Sequence, residues 1–278
     1  MIPVEVCHYT KKSTALEFIL PEKRLKLGQF KFTNDPRESR VRSGARQRKE
    51  NEVLDSKIEG ECFAESMRIH DEEWKVLCFT ASRAKPGDIS SLKFQKDMIE
   101  TIHGWDESVL PGYNHPRMWD QYADKHQGVC LVFDGVKLDQ ILHKELGERC
   151  KIFSGMVKYV DIKSGNGTLQ EPDYSDIIKL GPTEAVRKHF FEHYEHYFLK
   201  KNLDWERETE FRWLAYSTKN EPEYISIDGA LKGIIVGMDF PRADMEIVKS
   251  LAYELNVPAG KMGWATGFPS IVFDCFNK

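Results

Sequence analysis

At 278 residues, with 41% hydrophobic side chains and 16 Phe, 10 Tyr and 6 Trp, the chain can bury a sizeable core, which excludes a disordered polypeptide. A net charge of −4 excludes a polyanion binder that works through overall charge. No apolar run approaches the ~20 residues that span a bilayer, so no membrane partner is expected.

In chain order, VEVCHYT (4–10) predicts a first strand that starts almost at once, so no signal peptide is expected. KSTALEFILP (12–21) sets Ala15, Leu16, Ile19 and Leu20 at helical spacing, with Ser13 or Thr14 as cap and Pro21 as terminator. RLKLGQ (24–29) alternates as a second strand, and KFTNDPRE (31–38) is turn chemistry. RESRVRSGARQRK (37–49) holds six basic residues against one acidic, and the next stretch swings acidic. The pattern predicts a solvated helical insertion over about 37–72, in which Arg37–Lys49 is a candidate phosphate-contacting arm. WKVLCFTAS (74–82) is a strand by composition, and 83–117 reads as irregular.

PRMWDQYADKHQG (116–128) predicts a short helix closed by Gly128, and VCLVFD (129–134) a central strand. A helix over 136–147, a strand over 155–162 and a loop over 164–175 follow. PTEAVRKHFFEHYEHYFLKK (182–201) predicts one long amphipathic helix. ETEFRWLAYS (208–217), YISIDG (224–229), LKGIIVGMDF (231–240) and SIVFDCFN (270–277) predict strands, with a last helix over 245–256. The order gives a single α+β domain over 1–278, with mixed, mostly antiparallel sheets and flanking helices. Cys7, Cys62, Cys78, Cys130, Cys150 and Cys275 form no CxxC pair. They predict free thiols in a reducing, cytoplasmic setting, without structural zinc.

His8 and Thr10 share a strand face, where an imidazole and a hydroxyl can clasp a ribose diol. The alternative is a core histidine bonded to a backbone carbonyl, with Thr10 capping the next helix. Alternation also places Glu208, Glu210 and Arg212 on one face, and Thr209, Phe211 and Trp213 on the core side. One carboxylate can stabilise positive charge on a ribosyl carbon, and the second can orient an acceptor or act as base. Arg212 can hold a diphosphate or a glutamate; a solvent-facing strand with a salt bridge is the structural alternative. Trp119 and Tyr122, three apart on a helix, can stack on a base or nicotinamide, or pack the core. Asn34 and Asp35 before Pro36 make a stiff turn whose polar groups can line a pocket. His189, His193 and His196 have zinc-like spacing but lack the H-E-x-x-H order, so no metal is expected. Ser82 lacks the G-x-S-x-G context of a hydrolase, and SGNGTL fits no phosphate loop.

The series H-Y-T, F-T-N-D-P, C-F-T, M-W-D-Q-Y-A-D with G-V-C-L-V-F-D, and W-E-R-E-T-E-F-R resembles bacterial domain-of-unknown-function family 2971. A more distant pattern is similar to the ADP-ribosyltransferase fold. There, a first strand carries H-x-T, an aromatic residue stacks on nicotinamide, and a later strand carries E-x-E. That resemblance implies a split sheet and an enzyme using NAD as substrate to modify a macromolecular acceptor, as bacterial toxins and phage-defence effectors do. It implies Glu208, Glu210 and His8 as catalytic residues. Tyr9, Thr10, Tyr122, Trp119, Arg212, Asn34 and Asp35 would join His8 in contacting NAD. This reading needs His8 and the two glutamates to line one hollow. Two alternatives remain: a nucleic-acid-binding or metal-dependent nuclease-type defence protein, using the basic arm and the carboxylates, and a non-catalytic sensor or antitoxin module.

Overall fold

Runs rich in Val, Ile, Phe and Trp pair into a ten-stranded mixed sheet. The computed structural model describes residues 1–35, 38, 54–81, 112–161, 172–265 and 268–272. The sheet contains β1 (Glu5–Thr10), β2 (Arg24–Gln29), β3 (Trp74–Ala81), β4 (Val129–Asp134) and β5 (Lys151–Met156). A short parallel pair, β6 (Lys158–Val160) and β7 (Lys200–Asn202), stands apart from it. The sheet continues with β8 (Glu210–Tyr216), β9 (Glu223–Ser226), β10 (Leu231–Val236), β11 (Ala259–Ala265) and β12 (Phe268–Val272). Its path runs β12-β11-β10-β4-β1-β3-β2-β9, with β8 joining β3 to β5. Among the described residues, only β10–β11 is parallel within this sheet. The expected α+β class, mostly antiparallel, is present.

Helices cover both faces: α1 (Ser56–Arg68), α2 (Pro116–Tyr122), α3 (Gly135–Leu146), α4 (Tyr174–Leu180), α5 (Pro182–Glu192), α6 (Tyr194–Phe198) and α7 (Met245–Glu254). Several differ from the sequence reading. The first helix is a wide turn, Thr14–Ile19, continued by Leu20–Glu22. Ser13 makes no capping bond, and Lys23 at φ 53° ends the helix rather than Pro21. The long helix over 182–201 breaks at His193 into α5 and α6, and the chain then leaves as β7. The break brings Phe190 and Phe198 into one aromatic cluster. A strand over 155–162 resolves into β5 and β6, separated by Val157. Neither α4 nor β11 was foreseen; β11 carries two glycines, which weaken its strand signal. Of the insertion, α1 is described, whereas Arg37 and 39–53 lie outside the described residues, as do Ser82, most of 83–117 and SGNGTL.

One sheet face carries Val6, Phe79, Leu131, Phe133, Phe211 and Trp213 against α3, α7 and the first helix. The opposite face holds two apolar clusters. Cys7, Tyr9, Cys130 and Val132 pack on Met118 and Trp119 of α2. Val76, Leu214 and Tyr216 pack on Phe190 and Phe198.

β3 is the strand that positions the site. Along one edge it pairs β8 from Trp74 to Thr80. Along its other edge β2 pairs Lys75 and Val76, and β1 pairs Thr80 and Ala81. Leu77, Cys78 and Phe79 are left between two diverging strands.

Candidate functional site

Register fixes which side chains meet. Cys7 pairs Thr80, and Thr80 pairs Glu210; Cys78 pairs Arg212. Directly paired residues share a face, so Cys7, Cys78, Thr80, Glu210 and Arg212 all point to the side of α2 and α6. The patch lies beside Cys7 of the first cluster and continues along β8 into Leu214 of the second.

His8 and Thr10 point to the other side. The His8 ring lies 5.4 Å from the Phe79 ring, on the main-core face. Its Nδ1 donates to the Cys78 carbonyl at 3.1 Å, in the gap between β1 and β2. The histidine thus satisfies a backbone acceptor that neither strand reaches. Burial lowers its pKa more than that bond raises it, so the ring is neutral. The hollow shared by His8 and the two glutamates is not formed, because the sheet backbone stands between them. This is the largest departure from the sequence reading.

The acids themselves converge, by a route alternation did not foresee. Leu203–Glu208 is a short tight helix, Thr209 is left-handed at φ 46°, and the strand begins only at Glu210. Glu208 is therefore not on the strand face. Its carboxylate instead reaches the ammonium that also binds Glu210: Lys201 Nζ lies 2.8 Å from Glu208 Oε2 and 2.9 Å from Glu210 Oε2. Tyr122 donates to Glu208 Oε1 at 2.6 Å. Arg212 forks onto Glu210, with Nε donating to Oε1 at 2.7 Å and Nη2 to Oε2 at 3.1 Å. Its Nη1 donates to the Phe198 carbonyl at 2.7 Å and lies 2.6 Å from Glu38 Oε1. The Tyr159 hydroxyl accepts the Glu210 amide at 2.9 Å. Far from a solvated stripe, Glu208, Glu210, Arg212, Lys201 and Glu38 are 2%, 5%, 0%, 6% and 8% exposed.

Electrostatics follow from this packing. Burial pushes the Glu210 carboxyl up, but Arg212 and Lys201 outweigh it and hold the group well below the usual carboxylate range. Burial lowers the Lys201 and Arg212 pKa values, and the surrounding acids, Glu210 foremost and Glu38 after it, together more than reverse it in each, so both stay charged. Burial first, and Glu208 second, raise the Tyr122 pKa, which keeps its hydroxyl a donor. Burial raises Glu38 above its ordinary value despite Arg212.

Glu38 supplies a sign that can be checked. A carboxyl raised in the folded state binds its proton more tightly there than in the unfolded chain. Stability from this group is therefore present below the ordinary value of about 4.3 and is lost as pH rises through the raised folded value. Glu38→Gln is expected to flatten the rise in urea midpoint as pH is lowered from 8 toward 4. Identical pH dependence in the two proteins would remove Glu38 from the buried network.

The remaining candidates separate cleanly. Trp119 is 1% exposed, edge-on to Tyr9 at 5.2 Å, with its Nε1 donating to the Tyr113 carbonyl at 2.8 Å; it is core. The Tyr9 hydroxyl donates to the Gly112 carbonyl at 2.7 Å, on the α2 side rather than beside His8. Asn34 is exposed, whereas Asp35 is buried and its carbonyl accepts the Glu38 amide at 3.0 Å. Asp35 thereby ties the backbone of Glu38, whose carboxylate lies beside Arg212. His189 bonds Tyr197, and Lys200 Nζ donates to His196 Nδ1 at 2.9 Å. Among the described residues, no group of three or more His, Cys, Asp or Glu is placed to hold a metal ion.

Lys201, Glu38, Tyr159 and Trp205 were missed. Lys201 read as the polar end of a long helix, and Glu38 as part of a solvated charged run. Trp205 sits over the cluster, with Lys201 Nζ 5.0 Å and Arg117 Cζ 5.8 Å from its ring centroid.

Residues 118–213 match the model of a family described as a protein of unknown function (DUF2971). That span contains M-W-D-Q-Y-A-D and W-E-R-E-T-E-F-R, and with them Tyr122, Lys201, Glu208, Glu210 and Arg212. It excludes H-Y-T, F-T-N-D-P and C-F-T. No curated protein and no solved structure matches the chain. No helix among the described residues is long and apolar enough to cross a membrane.

Proposed function

We propose that the chain is an ADP-ribosyltransferase-like enzyme that binds NAD and transfers to a macromolecular acceptor, in a form that gives up the shared hollow: the separation of His8 from the acids removes the H-x-T part of the resemblance, and the reading stands on Glu208 and Glu210 alone. The observation that supports this most is the convergence of two buried carboxylates on one ammonium, with a tyrosine hydroxyl on the outer oxygen. Charges buried in low dielectric act more strongly on a developing cation than they do in water. As the bond from ribose C1′ to nicotinamide breaks, the leaving ring takes the electron pair and positive charge spreads over C1′ and the ring oxygen. An acceptor nucleophile then bonds to C1′ and loses a proton. Glu210 is a poor base, gripped by the Arg212 fork and held far below neutral pH. The proton goes instead to Glu208, whose carboxylate is bonded to Lys201 and Tyr122 and carries no guanidinium fork.

Glu208→Gln is expected to lower the rate of NAD cleavage about 10²–10³-fold, the usual cost of losing one preorganised stabiliser. Its urea midpoint should still show a folded chain. NAD consumption is measured with and without cell extract as the source of acceptor. No cleavage by the wild type under either condition ends this reading. Loss of turnover in His8→Ala but not in Glu208→Gln would move the site to the other face of the sheet.

A further inference from the structure

Two cations share the buried cluster, and they are held differently. The Arg212 fork is tied to three acceptors: the Glu210 carboxylate, Glu38 and the Phe198 carbonyl. Lys201 is held by the Glu208 and Glu210 carboxylates and by the face of Trp205, with no backbone carbonyl bonded to its ammonium among the described residues. Two carboxylates beneath an aromatic face make a seat for any compact cation. A lysine fills such a seat as a point charge on a flexible stem, whereas a planar guanidinium is fixed by its geometry. Trp205 is half-buried, whereas the three charged groups beneath it are at most 6% exposed.

A second, independent feature borders the seat. Thr80 pairs Glu210 in register and shares its face, which sets their Cβ atoms about 5 Å apart. Thr80 is 1% exposed, yet its Oγ1 has no hydrogen-bond partner among the described residues. A buried hydroxyl without a partner costs free energy unless something brings one.

We infer that Lys201 is the resident occupant of a cation subsite, and that the cationic group of a ligand displaces its ammonium to pair with Glu208 and Glu210 under Trp205. Thr80 then serves a polar atom of the same ligand. The inference rests on the functional reading only in naming the ligand: the pyridinium of NAD is such a cation, and the neutral dihydropyridine of NADH is not. The vacated carboxylates require a positive charge, so exchange of one cation for another conserves the charge of the cluster.

The test uses Lys201→Ala in the full chain, with ethylammonium as probe. Ethylammonium chloride is expected to raise the melting temperature of this variant well beyond the effect of equal sodium chloride, and to leave the wild type unmoved. If the variant does not fold alone, ethylammonium during refolding should restore it. No selective shift and no restored folding overturn the inference. Lys201→Met with Glu208→Gln, which leaves Glu210 on Arg212, should lose the response; retention of it also overturns the seat. Binding of NAD and NADH to Lys201→Met then separates the two ideas. NAD gaining at least tenfold over the wild type, with NADH unchanged, supports both. An ethylammonium response without any NAD binding keeps the subsite and discards the NAD reading.

Discussion

Arg212→Met is expected to destabilise the fold by about 3–5 kcal/mol, because it leaves buried carboxylates without their strongest partner. Arg212 is fully buried and carries three duties at once: a fork onto Glu210, an ion pair with Glu38 and a bond to the Phe198 carbonyl. Methionine fills the volume of the stem and serves none of them. Glu210 keeps Lys201, so the loss falls short of exposing a bare charge. The pH dependence changes as well. With its pKa depressed, Glu210 contributes stability above the ordinary carboxylate value, and that stability is lost as pH falls through the folded value. Without Arg212 the folded value rises toward the ordinary one, so acid unfolding starts at higher pH. Urea unfolding at pH 7, repeated down to pH 3, measures both effects. A loss under 1 kcal/mol with an unchanged acid limb would mean that the cluster is solvated in solution.

Much of the scaffold was legible because it follows local rules. VCLVFD reads as a central strand since almost every side chain is apolar, and it is β4, between β1 and β10. Phe211 and Trp213 were placed on the core face by alternation alone, and they lie there. What failed was contact between distant segments. Alternation along β1 correctly put His8 and Thr10 on one face but could not say which face of the sheet Glu210 would share. That depends on the register through β3, a property of three strands together. Extending alternation back to Glu208 failed because Thr209 takes a left-handed conformation, which a threonine does not advertise. Lys201 was illegible for a related reason: a helical pattern ran through it, and only the break at His193 frees it to reach the acids.

Gly237→Ala is expected to cost about 3 kcal/mol or more, at a place remote in sequence from the acids but joined to them through the backbone. A Cβ at Gly237 would lie 2.0 Å from the His126 carbonyl oxygen, which cannot rotate away as a side chain would. That carbonyl already accepts the Asp239 amide at 3.0 Å, and Gly237 itself donates to the Gly128 carbonyl at 3.0 Å. His126 closes an unusual run: Asp124, Lys125 and His126 have φ of 50°, 52° and 67°. Each such non-glycine residue costs roughly 1–2 kcal/mol. The run is held by Lys125 and His126 amides donating back to the Asp120 and Trp119 carbonyls, which reverses the chain from α2 into β4. Tyr122 sits at the end of that same helix. Pushing His126 away therefore strains the turn that aims the Tyr122 hydroxyl at Glu208, so stability and any Glu208-dependent activity should fall together. Lys125→Gly supplies the opposite sign: it keeps the amide, removes the Cβ and should gain about 1 kcal/mol. Urea unfolding of the two variants against wild type decides the matter. A destabilised Lys125→Gly beside a neutral Gly237→Ala would mean that the left-handed turn is not how the chain passes from α2 to β4.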